Sequence, residues 1–335
     1  MKTGILLVNL GTPDSPATPN VRKYLVEFLT DARVIDIPAV QRNMLVRGII
    51  APFRAPKSAA TYQKIWTDKG SPLMFISQEL RDLLAQELGD AYQVELAMRY
   101  QSPSIASQLE KFRGQAITKL RVVPLFPQYA SATTGSVHQE VMRIVSTWQT
   151  IPPIEFVNSY PVDPGMIATF AELGRQHDIA SYDHVLFSFH GLPERQLIKA
   201  DSHGICLQSE TCCHTWTDRN HFCYGAQCHA TAVAIAKELS IDPAKFTVCY
   251  QSRLGKTPWK QPYTSDIIHR LAEQGKKRVL VFCPAFVADC LETIFEIGVE
   301  YREEFQKLGG EELTLVEGLN THPGWVRALA GICRG

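Results

Sequence analysis

Eight short runs rich in β-branched and apolar residues, at 4–9, 94–98, 120–125, 154–158, 185–189, 246–250, 278–283 and 313–317, recur along the whole chain. Helix-period patterns lie between most of them, at 21–29, 74–88, 104–112, 137–148, 166–175, 232–239, 266–273 and 291–305. No other feature narrows the fold as much. Continuous apolar runs are what a strand buried on both faces looks like, and such strands belong to parallel sheets covered by helices. Alternation with helices then requires right-handed βαβ crossovers. The expected class is α/β with parallel sheets.

The runs divide into two sets of four. The first strand of one set ends in Asn9-Leu10-Gly11 and that of the other in His190-Gly191-Leu192. Pro124 and Pro127 close the third strand of the first set, and Pro284 closes its counterpart. Two similar lobes are expected, residues 1–162 and 163–335, joined near Pro161-Val-Asp-Pro-Gly165, with a cleft between them fed by strand ends of both.

Charge excludes one class of partner: 34 basic residues balance 34 acidic ones, so nothing argues for nucleic acid. No apolar run reaches the roughly 18 residues of a membrane-spanning helix. The opening Met1-Lys-Thr-Gly4 enters a strand pattern without a signal-peptide layout, so a cytoplasmic location is expected. In such a reducing compartment nine cysteines point to metal binding or buried thiols rather than disulfides.

The stretch Val185-Leu-Phe-Ser-Phe-His-Gly191, followed by Leu192-Pro193, reads as a buried strand ending in a sharp turn with His190 at its carboxyl end. Ligands of open parallel sheets bind outside the carboxyl ends of the strands. A histidine there can take a proton near neutral pH or ligate a metal. The ordinary alternative is a packed histidine capping a strand. Farther on, Glu292, Glu296 and Glu300 are spaced four apart on a helical pattern and so share one face, either as a solvated acidic stripe or as a polar track.

Two segments stand apart from the α/β pattern. Residues 40–58 mix apolar residues with Arg42, Arg47, Arg54 and Lys57 and contain no acid. They read as an amphipathic helix packed on the core, or as an apolar lip that holds a flat acidic ligand or touches a membrane surface. Residues 201–228 hold Cys206, Cys212, Cys213, Cys223 and Cys228 together with several histidines, and show no clear helical or strand period.

These residues resemble the ferrochelatases, which insert ferrous iron into a porphyrin in the last step of haem synthesis. The likeness runs from Leu7-Val-Asn-Leu-Gly-Thr-Pro13 through Gly70-Ser-Pro-Leu73, Met98-Arg-Tyr100, Pro127-Gln-Tyr129 and Thr133-Thr-Gly-Ser136. It continues through Ser188-Phe-His-Gly-Leu-Pro193, Gln251-Ser-Arg-Leu-Gly255, Pro258-Trp259 and Asp289-Cys-Leu-Glu-Thr293 to Leu319-Asn320. The resemblance implies two Rossmann-like lobes of the class II chelatase type. It implies protoporphyrin IX and Fe2+ as substrates and protohaem as product, with catalytic roles for His190 and Glu292, which would also meet the substrate iron. Glu296 and Glu300 would continue a metal or proton path. Tyr129, Arg99, Ser131, Thr133 and Trp259 would contact the porphyrin, with Arg99 on a propionate. Many members carry histidine where this chain has Cys290, so a role in metal delivery is not expected of that position.

The chemistry explains the residue types. A planar porphyrin carries two N–H protons, and metal enters only if the ring bends and both protons leave. Gripping the ring can supply on the order of 1–5 kcal/mol of strain. Proton removal needs a base with a pKa near the working pH. Where many members have a short loop with one cysteine at the place of Cys228, this chain has a longer one. Four thiolates are the complement of a [2Fe–2S] cluster, and Cys206, Cys212, Cys213 and Cys223 are the implied ligands, with Cys228 as a substitute. A zinc site using His214 or His221 and an unliganded loop are the rivals, the first weakened by the absence of a Cys-x-x-Cys pair. Other readings of the whole chain are chelation of another tetrapyrrole or metal, such as coproporphyrin III or cobalt, or a haem or iron–sulfur sensor without turnover. Peripheral membrane contact is a further expectation.

Overall fold

A computed structural model describes residues 2–115, 117–253, 255 and 257–335. Met1 and Leu254, which belong to stretches named above, lie outside the described residues. The chain divides into two compact units. One comprises residues 1–126, 130–159 and 329–335; the other comprises 127–129 and 160–328.

All eight expected strands are present. The first unit contains β1 (Lys2–Asn9), β2 (Tyr92–Met98), β3 (Ile117–Pro124) and β4 (Ile154–Phe156), paired in parallel in the order β2-β1-β3-β4. The second contains β5 (His184–His190), β6 (Phe246–Gln251), β7 (Arg278–Phe282) and β8 (Glu312–Leu315), again parallel, in the order β6-β5-β7-β8. The two orders are the same once each unit is counted from its own first strand. In each sheet the chain passes to one side of the first strand and then returns to the other, which makes the carboxyl end of that strand a topological switch point.

The central strands are apolar because helices cover both faces. Ile5, Leu6, Leu7 and Val8 of β1 are wholly buried, as are Leu186, Phe187 and Phe189 of β5. Phe187 packs edge-on against Phe246 at 5.5 Å and stacks on Phe282 at 5.2 Å. The helix Ser136–Val145 buries Val137, Val141 and Val145 against the first sheet. In the second unit the helix Thr264–Glu273 does the same with Ile267, Ile268 and Leu271.

Three local differences from the sequence expectations have physical causes. The helix expected at 232–239 begins eight residues earlier, at Tyr224. Its first five residues are all buried, so no polar face betrays its period. The acidic helix is a π-helix over Glu292–Tyr301, continued as α-helix over Arg302–Lys307. Long π segments are rare and concentrate at functional sites. Residues 40–58 are helical within Ala39–Leu45, Val46–Ile50 and Ala51–Ile65, with one side buried and another exposed. Val46, Ala51, Ala55, Ala59 and Tyr62 are buried, and Tyr62 meets Tyr24 edge-on at 6.5 Å. Val40, Met44, Ile49 and Phe53 stand 57–80% exposed. Among the described residues no helix is long and apolar enough to cross a membrane.

Candidate active site

His190 is the last residue of β5, at the switch point of the second sheet, half-buried. The turn after it is tight: a side chain on Gly191 would come within 2.9 Å of the Gln251 carbonyl, and the Gly191 amide donates to that same carbonyl at 2.8 Å. The imidazole Nδ1 lies 2.7 Å from the Gly191 carbonyl oxygen. A carbonyl only accepts, so Nδ1 carries the proton, and in the neutral ring Nε2 is left with its lone pair. Trp259 and Phe286 flank the ring at 6.3 and 6.4 Å. The His190 carbonyl accepts from the Tyr224 hydroxyl at 2.8 Å.

The acidic helix is tied to this strand end through Gln251, the register partner of His190 on β6. The Gln251 amide nitrogen donates to the Glu292 carbonyl at 2.9 Å and to the Glu296 carboxylate at 3.2 Å. Its oxygen accepts from Ser188 on β5 at 2.7 Å. Ser252, in left-handed backbone at φ 66°, holds Glu296 with its amide at 2.9 Å and its hydroxyl at 2.6 Å. Burial pushes the Glu296 carboxyl above its ordinary value, and the nearby Glu292 charge adds to that, against the Ser252 hydrogen bond and the His190 ring. Glu292 is half-buried and Glu300 exposed, so the row runs from the interior to solvent. At its start Asp289 accepts from Thr293 at 2.8 Å and Asn320 at 2.7 Å, which fixes where the helix begins. Cys290 is buried beside Glu292, and that burial raises its thiol well above the ordinary range. Gln251 and Ser252 were quoted above only as motif residues; their bonding roles depend on tertiary contacts that no local pattern encodes.

Of the other expected site residues, Tyr129 and Trp259 belong to the second unit. The Tyr129 backbone amide donates to the Gln227 side-chain oxygen at 2.7 Å, and its ring packs against Phe222 at 5.7 Å. Trp259 is buried, and its indole N–H has no hydrogen-bond partner among the described residues. Arg99, Ser131 and Thr133 belong to the first unit. Arg99 donates to Asp31 and Ser136, at 2.8 and 2.7 Å. Ser131 accepts from Arg33 at 2.8 Å, a cation the sequence reading passed over. The Thr133 hydroxyl points back to the Ala130 carbonyl.

The cysteine segment is a knit loop. Asp201 accepts from the amides of His203 and Cys206. Trp216 stacks on His221, and Asn220 closes a capping box with Thr217. Cys212 and Cys213 sulfurs are 3.5 Å apart and those of Cys213 and Cys223 4.0 Å. Cys206, Cys212 and Cys223 line one cavity of about 130 Å³. The hydrogen bond from Cys213, helped by the Gly225 and Ala226 amides of the helix N-terminus, holds the Cys223 thiol below its ordinary value. Cys206 is pushed up to about 12, by burial first and then by Cys223 and Cys212. Cys228 is wholly buried beside Tyr224 and does not border that cavity. His214 stacks on His229 at 4.5 Å. Among the described residues no group of three or more histidine, cysteine or acidic side chains is arranged to hold a metal ion.

Two parallel four-stranded sheets of this order define the class: the fold is that of the class II chelatases. SirB of Bacillus subtilis, solved with Fe3+, aligns with a TM-score of 0.52 at 13% identity, covering 100% of this chain and 95% of that one. The sirohydrochlorin chelatase SirB of Bacillus subtilis subspecies spizizenii, solved with cobalt, aligns equally well at 14% identity, covering 100% and 94%. A family model described as ferrochelatase matches residues 2–335. A ferrochelatase of Legionella pneumophila strain Lens is 45% identical over 332 residues, 99% of this chain and 98% of the relative. One of Coxiella burnetii strain Dugway 5J108-111 is 41% identical over 334 residues, 99% of this chain and 93% of the relative. The chain belongs to the ferrochelatase family, lyases that insert iron into a porphyrin in the formation of haem.

Proposed function

We propose that this enzyme takes protoporphyrin IX and ferrous iron and releases protohaem and two protons, with His190 and Glu292 as the catalytic pair. The observation that carries the reading is the His190 hydrogen bond to the Gly191 carbonyl, which leaves Nε2 as a proton acceptor at the switch point of the sheet. As the bent macrocycle offers an N–H, Nε2 takes that proton, and Glu292 acts on the metal and the second proton. Glu296 and Glu300 lead the released protons, or the incoming iron, along the helix. Tyr129, Arg99, Ser131, Thr133 and Trp259 are the proposed porphyrin contacts. The test is product analysis. Purified protein is given protoporphyrin IX or coproporphyrin III with Fe2+ or Co2+, and the metallated products are quantified. Higher kcat/KM with protoporphyrin IX and Fe2+ supports the reading. Preference for coproporphyrin or cobalt replaces the substrate assignment, and tight binding without turnover replaces the enzyme by a sensor.

The proposal extends to a [2Fe–2S] cluster on Cys206, Cys212, Cys213 and Cys223, with Cys228 as a substitute. The residues fit the group chemically. The thiols are free, Cys213 adjoins both Cys212 and Cys223, and Cys206, Cys212 and Cys223 line one cavity, while His221 is stacked on Trp216 and His214 lies against His229. Bound there, a cluster would supply a one-electron centre and brace the loop. Cys206→Ser should cut iron and acid-labile sulfide to near zero in protein purified without oxygen. Full cluster content in that variant removes Cys206 from the ligand set.

The exposed Val40, Met44, Ile49 and Phe53, with Arg42, Arg47, Arg54 and Lys57 beside them, suit the surface of an anionic bilayer. Co-sedimentation with anionic vesicles, lost in Met44→Ser/Phe53→Ser, is the expected outcome; equal sedimentation of both proteins excludes it.

A further inference from the structure

Lys260 is 8% exposed, the one lysine or arginine buried among the described residues. Its backbone amide donates to the Leu192 carbonyl at 2.8 Å, so its position is set by the turn that follows His190. Its ammonium lies 5.8 Å over the ring of Tyr250. Among the described residues it has no carboxylate partner. The nearby Tyr250 hydroxyl is itself buried without a hydrogen-bond partner. Burying an ammonium costs free energy unless an anion stands near it.

The groups near it are thiols. Gly225, in the first turn of the helix after Cys223, has no side chain, and that vacancy is filled from two directions. A Cβ there would lie 2.7 Å from the Cys213 sulfur and 3.2 Å from Lys260 Cε. The sulfur and the end of the lysine stem therefore converge on one glycine. The Cys213 sulfur is 4.0 Å from that of Cys223, which caps the helix carrying Gly225, so the end of the lysine stem lies at the same knot of thiols. Four thiolates around iron make a net anionic centre, and reduction adds one more negative charge to it.

We propose that Lys260 is the buried counter-charge of the thiol site, a positioning residue that stabilises an anionic metal–thiolate centre and raises the potential at which it is reduced. The inference rests on the reading of Cys206, Cys212, Cys213 and Cys223 as cluster ligands. It accounts for a lysine packed here without a carboxylate partner: what it meets is the Cys213 side of Gly225 and the Tyr250 ring.

The test compares the full-length wild type with Lys260→Met, which keeps the stem and removes the charge, and Lys260→Arg, which keeps the charge. Each is purified without oxygen. Iron and sulfide per chain, the midpoint potential of the cluster absorption, the rate of cluster loss to a chelator, and the Tm of the metal-free protein are measured. Lys260→Met should titrate at a more negative potential and lose its cluster about ten- to a hundred-fold faster. Its metal-free Tm should equal that of the wild type, because the methionine keeps the packing of the stem. Lys260→Arg should follow the wild type in potential. A packing role would lower both the Tm and the cluster stability, and that pattern overturns the proposal, as does an unchanged potential in Lys260→Met. If the wild type holds neither iron nor sulfide, the cluster reading falls by itself. Competition for Zn2+ then decides: weaker binding by Lys260→Met, by about ten-fold or more, sustains the counter-charge, and equal affinity overturns it.

Discussion

The two units share a sheet and differ at the ends of its strands. Each has the same strand order, and in each a π-helical segment follows the third strand, Ser131–Gly135 in one and Glu292–Tyr301 in the other. The first strand of the first unit ends in Asn9, 4% exposed, whose amide nitrogen donates to Ser77 and whose oxygen accepts from Leu10. The first strand of the second ends in His190, half-buried and with no partner on Nε2 among the described residues. The first π segment carries serine and threonine; the second carries Glu292 and Glu296. The same scaffold thus ties its terminal polar side chain into internal bonds at one switch point and places a histidine beside a row of carboxylates, the proposed catalytic groups, at the other. Repetition of a fold does not repeat a site, because a site depends on a few side chains and a fold on many.

That contrast can be broken most directly at its two equivalent positions. His190→Ala should lower kcat for haem formation by about 10³-fold or more with the fold retained. Asn9→Ala should leave kcat within a few-fold and instead lose about 1–3 kcal/mol of stability for an orphaned buried bond. Steady-state kinetics with a thermal melt checks both, and comparable losses of kcat would erase the difference between the units. Within the acidic row, Glu292→Gln should cost about 10²-fold in kcat and the exposed Glu300→Gln under about ten-fold. Equal small losses would make the row a solvated stripe. Gln251→Leu removes the tie between strand end and acidic helix without touching either charge. A fall in kcat of about ten-fold, with the pH profile displaced and KM little changed, is expected of a residue that positions others.

The smallest effect belongs to the first unit. Burial would raise the Asp31 carboxyl, but the Ser136 hydroxyl, the Arg33 amide and the Arg99 guanidinium outweigh it and bring the group below its ordinary 3.8. A carboxyl depressed by folding contributes stability above its unfolded pKa and loses it as pH falls through the folded value. Asp31→Asn should therefore be less stable at pH 7, by about 1 kcal/mol, with the gap closing as pH falls below the ordinary carboxyl value of 3.8. A gap that persists in acid would mean the loss is one of shape rather than charge.

The strands were legible because burial on both faces leaves an apolar run that no helix period imitates, as in Ile5-Leu6-Leu7-Val8. The helix at Tyr224–Glu238 was only half legible for the same reason inverted: a helix buried all round has no face to read. His190 and the acidic spacing could be found in the chain, since a histidine at the end of an apolar run and carboxylates four apart are local patterns. Gln251, Ser252 and Lys260 could not, because each acts through partners many residues away.

By itself, then, the sequence determined the α/β class, the eight strands, the family, and the residue types available for proton and metal chemistry, all of which follow from local apolar period and short motifs. Tertiary structure alone decided which nitrogen of His190 holds its proton and that the acidic helix is a π-helix braced by Gln251. It also decided that the Lys260 stem and the Cys213 sulfur converge on Gly225. The first depends on the geometry of one turn, between the adjacent His190 and Gly191, which a residue pattern does not encode; the others arise only when distant segments pack together.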